Sequence, residues 1–136
     1  MNLVTLDFGN SHPHAGLFTY KGSSFTFLKT TPLSKLKDEL QTLGWSAHDT
    51  QMVLSQVKAY DEELNAFVDE GFVVTRVRDY WKGNRFAGMP VNYAHSLGED
   101  RLIQAFYFFK NKNITKPRCL IDAGTYTTID FITEDG

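Results

Sequence analysis

The sequence predicts a mixed α/β fold, and three features carry that expectation. The first thirty residues hold three short β-rich runs separated by tight Gly-containing turns. The middle of the chain then alternates helix-period and strand-period segments, the signature of strands joined by helical crossovers. The composition is ordinary for a packed domain: 136 residues, 42% hydrophobic and 22% charged. A chain of this length buries about two-thirds of its unfolded surface, enough for one core.

The elements follow in order. Leu3–Leu6, Ala15–Thr19 and Phe25–Leu28 read as strands of a meander, rich in the β-branched and aromatic residues that suit pleated surfaces. Thr31 reads as an N-cap with Pro32 at the first helical position. Leu33, Leu36, Leu40 and Leu43 then mark one face of a helix that Gly44 stops. Gln51–Ser55 is a strand. Asp61 opens a helix carrying Leu64, Phe67 and Val68, with Gly71 as its stop, and Phe72–Thr75 is the next strand. Residues 79–95 read as irregular, and a connection of that length is often functional. Ser96-Leu97-Gly98-Glu99 fits a capping box for an apolar helix running to Lys110. Strands at 118–122 and 127–133 end the chain.

Charge and composition exclude several function classes. A net charge of −2 does not suit a protein that coats nucleic acid. The longest apolar run, Ala105–Phe109, falls far short of the roughly 20 residues of a membrane helix. Met1-Asn2-Leu3 meets Asp7 almost at once, so no secretory leader is expected. The one cysteine, Cys119, reads as a small core residue in a reducing, cytoplasmic setting.

The chemistry-bearing feature is an internal echo. Leu6-Asp7-Phe8-Gly9-Asn10 recurs 115 residues later as Ile121-Asp122-Ala123-Gly124-Thr125, each time a strand running into Asp-x-Gly and followed by another strand. Glycine lets backbone approach a ligand closely, turn N–H groups with Asn10, Ser11 or Thr125 can donate to phosphate oxygens, and a strand-end Asp can hold hydrated Mg²⁺. Asp-x-Gly after a strand also serves as an ordinary turn. Asp7-Phe8-Gly9 is not the protein-kinase triplet, because no Gly-rich loop or catalytic loop precedes it. Neither copy has the Asp-Thr/Ser-Gly of an aspartic protease. A second constellation, Leu97-Gly98-Glu99-Asp100-Arg101, sits at a helix start. Its acids suit the helix dipole, and they also offer Asp100 as a general base beside Arg101 as an anion clamp.

Together these motifs resemble those of the type III pantothenate kinases, the Bvg accessory factor family of the acetate and sugar kinase/Hsp70/actin superfamily. Asp7-Phe8-Gly9-Asn10-Ser11 resembles the family's first phosphate motif. Tyr93 with Leu97–Arg101 resembles its pantothenate-binding and catalytic motif, and Asp122–Asp130 its second phosphate motif. The resemblance implies a ribonuclease H-like, actin-type lobe, βββαβαβα, over residues 1–115, then the first hairpin of a second lobe over 116–136. It implies ATP-dependent phosphorylation of pantothenate, the first step of coenzyme A biosynthesis. Asp100 would be the catalytic base; Tyr93, Gly98, Glu99, Asp100 and Arg101 would bind pantothenate. Asp7, Gly9, Asn10, Ser11, His14 and Thr125 would contact ATP. Asp7 would hold Mg²⁺ through water, and Asp122 a monovalent cation, K⁺ or NH₄⁺. A homodimer is the expected assembly, and neither a membrane nor a nucleic acid is an expected partner.

Two departures stand out. His12-Pro13-His14 replaces the small polar residues usual after the first motif; the pair reads as solvated or phosphate-facing, since two imidazoles without a third ligand make a poor metal site. The chain also stops inside the expected second lobe's first hairpin. By itself it is therefore expected to be inactive, to expose Ile121, Ile129, Phe131 and Ile132, and to self-associate. A non-catalytic nucleotide-binding paralogue with a regulatory role is the alternative. Arg76, Arg78, Lys82 and Arg85 around Tyr80 and Trp81 read as a solvated face or pocket rim rather than a stacking platform.

Overall fold

The computed structural model describes residues 1–9, 12–56, 61–92, 97–111, 118–123 and 127–133. They form two compact units, Met1–Val77 and Arg78–Gly136. The mixed α/β architecture, with a parallel-strand sheet and helices, agrees with an actin-type lobe.

The first unit is a five-stranded sheet. Strands β1 (Asn2–Phe8), β2 (His14–Lys21) and β3 (Ser24–Pro32) form the expected antiparallel meander. Helix α1 (Leu33–Leu43) leads to β4 (Thr50–Gln56), and helix α2 (Asp61–Asp69) to β5 (Val73–Arg76). Both β4 and β5 join in parallel, giving the order β3-β2-β1-β4-β5. Alternation along the strands sends Val4, Leu6, Phe8, Ala15, Leu17, Met52 and Leu54 to one face. There they pack against Leu33, Leu36 and Leu40 of α1 and Leu64 and Phe67 of α2. Leu43 and Val68, expected on these buried stripes, are exposed. Each lies near its helix's C-terminus, where the turn through Gly44 or Gly71 leaves the sheet face; both glycines adopt the positive φ such stops require.

Helix α1 corrects one expectation. Pro32 is itself the N-cap and the last residue of β3, and Thr31 is a buried residue of that strand, so no side chain caps the helix. The strand extends to the helix start because Thr31 and Pro32 still pair with Ala15 and His14.

The stretch expected to be irregular carries short regular elements over residues 79–90. A 3₁₀ turn over Val77–Tyr80 leads into three two-residue strands, β6 (Trp81–Lys82), β7 (Arg85–Phe86) and β8 (Met89–Pro90), joined as a tight meander. Gly83 and Gly88 supply the positive φ of its turns, and Trp81 donates its indole N–H to the Gly83 carbonyl, 3.0 Å away. Helix α3 (Glu99–Lys110) starts at Glu99 with Gly98 as N-cap. The capping-box reading is thereby corrected for Glu99, which occupies the first helical position; Ser96 lies outside the described residues.

Strands β9 (Arg118–Ala123) and β10 (Thr127–Ile132) pair as an antiparallel two-stranded sheet. One face meets α3. The other carries Cys119, Ile121, Ile129 and Phe131, with Ile121 67% and Phe131 79% exposed. Cys119 is thus a surface residue, not a core one, because its strand is covered on the opposite face. Ile132, expected in water, is buried.

Candidate active site

The internal echo is structural. In each copy the Asp is the penultimate residue of the first strand of an antiparallel hairpin: Asp7 in β1, opposite His14 of β2, and Asp122 in β9, opposite Thr128 of β10. The two hairpins belong to different units.

In the first unit, the carboxyl ends of parallel β1 and β4 place Asp7 beside Ser55, while β2 places His14 on its other side. All three leave the face opposite the hydrophobic core. The His14 Nε2 lies 3.6 Å from the Asp7 carboxylate, with both side chains about half exposed at 48%. His14 thus faces the carboxylate of the first phosphate motif, and its Nδ1 lies 3.2 Å from the His12 carbonyl oxygen. A Cβ on Gly9 would stand 3.8 Å from the Asp7 carboxylate, an ordinary contact, so crowding does not demand glycine there. The Ser55 hydroxyl is buried and, among the described residues, has no hydrogen-bond partner. Asn10 and Ser11 lie outside the described residues.

In the second unit, the first turn of α3 holds three charged residues in succession. Glu99 is 5% exposed and accepts a hydrogen bond from Arg78 Nε at 3.2 Å. The same guanidinium donates through Nη2 to the Leu97 carbonyl at 3.0 Å and lies over the Trp81 ring at 5.2 Å. Arg101 reaches the other way, donating to Asp130 of β10 through Nε at 2.8 Å and through Nη2 to the second carboxylate oxygen. Such a two-pronged pairing fixes orientation as well as charge. Gln104, about one turn along, donates to Asp122 at 3.1 Å. Asp100 stands between the two anchored neighbours. Its carboxylate folds back over Gly98, so a side chain at that position would have to displace the carboxylate from where it lies.

A cleft of about 190 Å³ opens beside this turn. Its lining is largely apolar, with Met89, Val91, Leu97, Leu102 and Ile132 among the contributors, and the Arg101–Asp130 pair supplies the charged groups. Few polar groups in an apolar hollow is the common form of a small-molecule site. Asn92 lines it as well; the next residue, Tyr93, lies outside the described residues, as do Gly124 and Thr125.

Four partners in these sites escaped the sequence, among them Gln104, which gave no signal at all. Arg78 was read as part of a solvated rim, yet it holds Glu99. Asp130 lay within a motif without a role of its own. Ser55 gave no signal until the β1–β4 register placed it beside Asp7. Among the described residues, no group of three or more His, Cys, Asp or Glu side chains could cage a metal, and no helix is long and apolar enough to cross a membrane.

Comparison with known proteins adds one finding. No curated protein matches the chain. The family model described as type III pantothenate kinase matches residues 3–136, carrying all three motifs, and the chain belongs to that family of coenzyme A biosynthesis.

Proposed function

We propose that this chain provides the pantothenate-binding and catalytic residues of a cytoplasmic, ATP-dependent pantothenate kinase. The observation that carries the reading is the α3 turn: Asp100 held between two ion-paired neighbours, beside an apolar cleft with an Arg101 guanidinium. Pantothenate combines a branched apolar centre with a primary hydroxyl and a carboxylate. The cleft suits the first, and Arg101 on its wall suits the polar groups; Tyr93 and Gly98 are assigned to the same substrate by the motif they belong to. Asp100 takes the proton of the attacking hydroxyl; the hydroxyl oxygen bonds to the γ-phosphorus of ATP, the bond to the bridging oxygen breaks, and ADP leaves. Glu99 acts here by fixing the turn through Arg78 rather than by touching substrate.

The nucleotide's phosphates are assigned to the hairpin of Asp7, Gly9, Asn10, Ser11 and His14, and to Thr125 in the second hairpin. Mg²⁺ usually keeps several waters and is shared between substrate phosphates and one or two carboxylates. A single half-exposed Asp7 fits that mode, as does the orphaned Ser55 hydroxyl beside it. When bound, the cation offsets the charge on the transferring phosphoryl group. Asp122 is the assigned ligand of a monovalent cation, with Gln104 orienting its carboxylate.

The proposed domain division, an actin-like lobe over residues 1–115 and the start of a second over 116–136, rests on the order of the family's motifs, whereas the compact units divide after Val77. A homodimer is the proposed assembly. The isolated 136-residue chain is expected to lack turnover, because the hairpin with the second motif stands with its apolar face in water. Coupled assays of ADP release, run with pantothenate on the native gene product and on this chain, test the proposal. Pantothenate-dependent phosphopantothenate from the native product supports it. Binding of ATP without any phosphorylation would instead indicate a nucleotide-binding regulatory paralogue.

A further inference from the structure

We infer that Ser55 is a third member of the nucleotide site, its hydroxyl accepting from a water of the hydrated cation, or donating to a phosphate oxygen, that Asp7 faces. The inference deepens the assignment of Asp7 to Mg·ATP and rests on it. Two independent observations lead to it. The first is register. β1 and β4 run parallel with Asp7 opposite Ser55, and β2 sets His14 opposite Asp7, so His14, Asp7 and Ser55 form one row across three adjacent strands. Neighbouring strands lie about 4.8 Å apart, and residues in register project from the same face. That face is opposite the core, because Leu6 and Leu54, one residue back on each strand, are the ones that enter it. The row sits at the carboxyl ends of the parallel strands, the edge where open α/β sheets take ligands.

The second observation is the hydroxyl itself. Ser55 is buried, and its Oγ has no partner among the described residues. A buried polar group left unpaired is destabilising, and native proteins pair nearly all of them. An alanine at 55 would fill the strand equally well and avoid that penalty. A serine that weakens the unliganded fold and lies next to the phosphate-motif carboxylate is what a ligand-binding hydroxyl looks like before its ligand arrives. Its chemistry also matches. Asp7 can only accept from a hydrated cation's waters, whereas a serine hydroxyl can donate to a phosphate oxygen and accept from a water at once.

The test uses Ser55→Ala in the 136-residue chain, with Mg·ATP as the probe. Thermal melting without nucleotide and calorimetric titration with Mg·ATP are both measured. The unliganded variant should melt at or above the wild-type temperature. Its Kd for Mg·ATP should rise about ten-fold, in line with loss of a hydrogen bond to a charged group. In an Asp7→Asn background the same substitution should add less than two-fold, since both residues serve one ligand. A Ser55→Ala chain that melts several degrees lower, or that binds Mg·ATP as the wild type does, overturns the Ser55 assignment and leaves Asp7 untouched. Fully additive effects with Asp7→Asn overturn it as well. A wild-type chain that binds no Mg·ATP overturns the nucleotide-site reading itself, and with it this inference.

Discussion

Replacing Arg78 with leucine isolates the contact that anchors the α3 turn. The Glu99 side chain is only 7% exposed, so removing its partner strands a carboxylate with little access to water. Breaking a fully buried ion pair in this way costs about 3–5 kcal/mol. Arg78 is 39% exposed, so water already screens part of the interaction, and a loss of about 2–3 kcal/mol is expected instead. The guanidinium's bond to the Leu97 carbonyl and its packing over Trp81 are lost in the same substitution. Urea unfolding followed by Trp81 fluorescence, in a Trp45→Phe background, reads the second unit specifically. Arg78→Leu/Glu99→Leu should recover most of the loss, because an apolar pair of similar volume avoids the desolvation cost of both charges. Activity should not recover with it, since the leucine pair no longer fixes the backbone that carries Asp100. A single variant that loses less than about 0.5 kcal/mol, or a double variant no more stable than the single, would refute the reasoning.

Four further outcomes are expected. Asp100→Asn should lower kcat of the native gene product by about 10²–10⁴-fold while calorimetric pantothenate affinity stays within a few-fold. Asp7→Asn should weaken Mg·ATP binding and leave the melting temperature of the nucleotide-free chain within about 2 °C, as expected for a half-exposed side chain. The Asp49 carboxyl is held below its usual value, chiefly by the Ser46 backbone N–H that donates to it, so its contribution to stability is present above about pH 4 and is lost as pH falls through the lowered value. Melting curves of wild type and Asp49→Ala should accordingly converge below pH 4, and an unchanged gap there would contradict the assignment. Sedimentation should show self-association at micromolar concentration that Ile129→Lys/Phe131→Lys abolishes, since two exposed apolar residues worth about 1.5–3 kcal/mol each when buried would lose their drive to pair; a clean wild-type monomer would refute it.

The strands and helices were legible because their signals are local. Leu33, Leu36 and Leu40 fall on one stripe whatever surrounds them, and Gly44 and Gly71 are where positive φ was needed. Element starts were less legible, because tertiary pairing decided them. Pro32 remains in the sheet through its partner His14, and Glu99, with the composition of a capping residue, is drawn inward by Arg78, which lies 21 positions earlier. The stretch 79–95 looked irregular since two-residue strands give no periodicity; the short strands over 81–90 are joined by turn glycines and braced by an indole bond. The Cys119 error has the same origin: one strand cannot tell which of its two faces a helix will cover.

The motifs themselves show why the functional residues were easier to name than their supports. Asp7, Asp100 and Asp122, the proposed functional residues, announce themselves by their neighbours in sequence, because a motif is a local pattern. Their supports, Ser55, Arg78, Asp130 and Gln104, carry no such mark and act across 48, 21, 29 and 18 positions. An ion pair or a register contact depends only on the fold bringing two chains of atoms together, so any residue of suitable chemistry at the right depth can serve. Asp100 illustrates the consequence. In the proposed role of base its own carboxylate cannot be exchanged, and its position depends on the contacts that Arg78 and Asp130 make with its neighbours Glu99 and Arg101. Loss of either should leave the motif intact in sequence and misplaced in space, which is how a chain of this family could keep Gly98-Glu99-Asp100-Arg101 and still fail to catalyse.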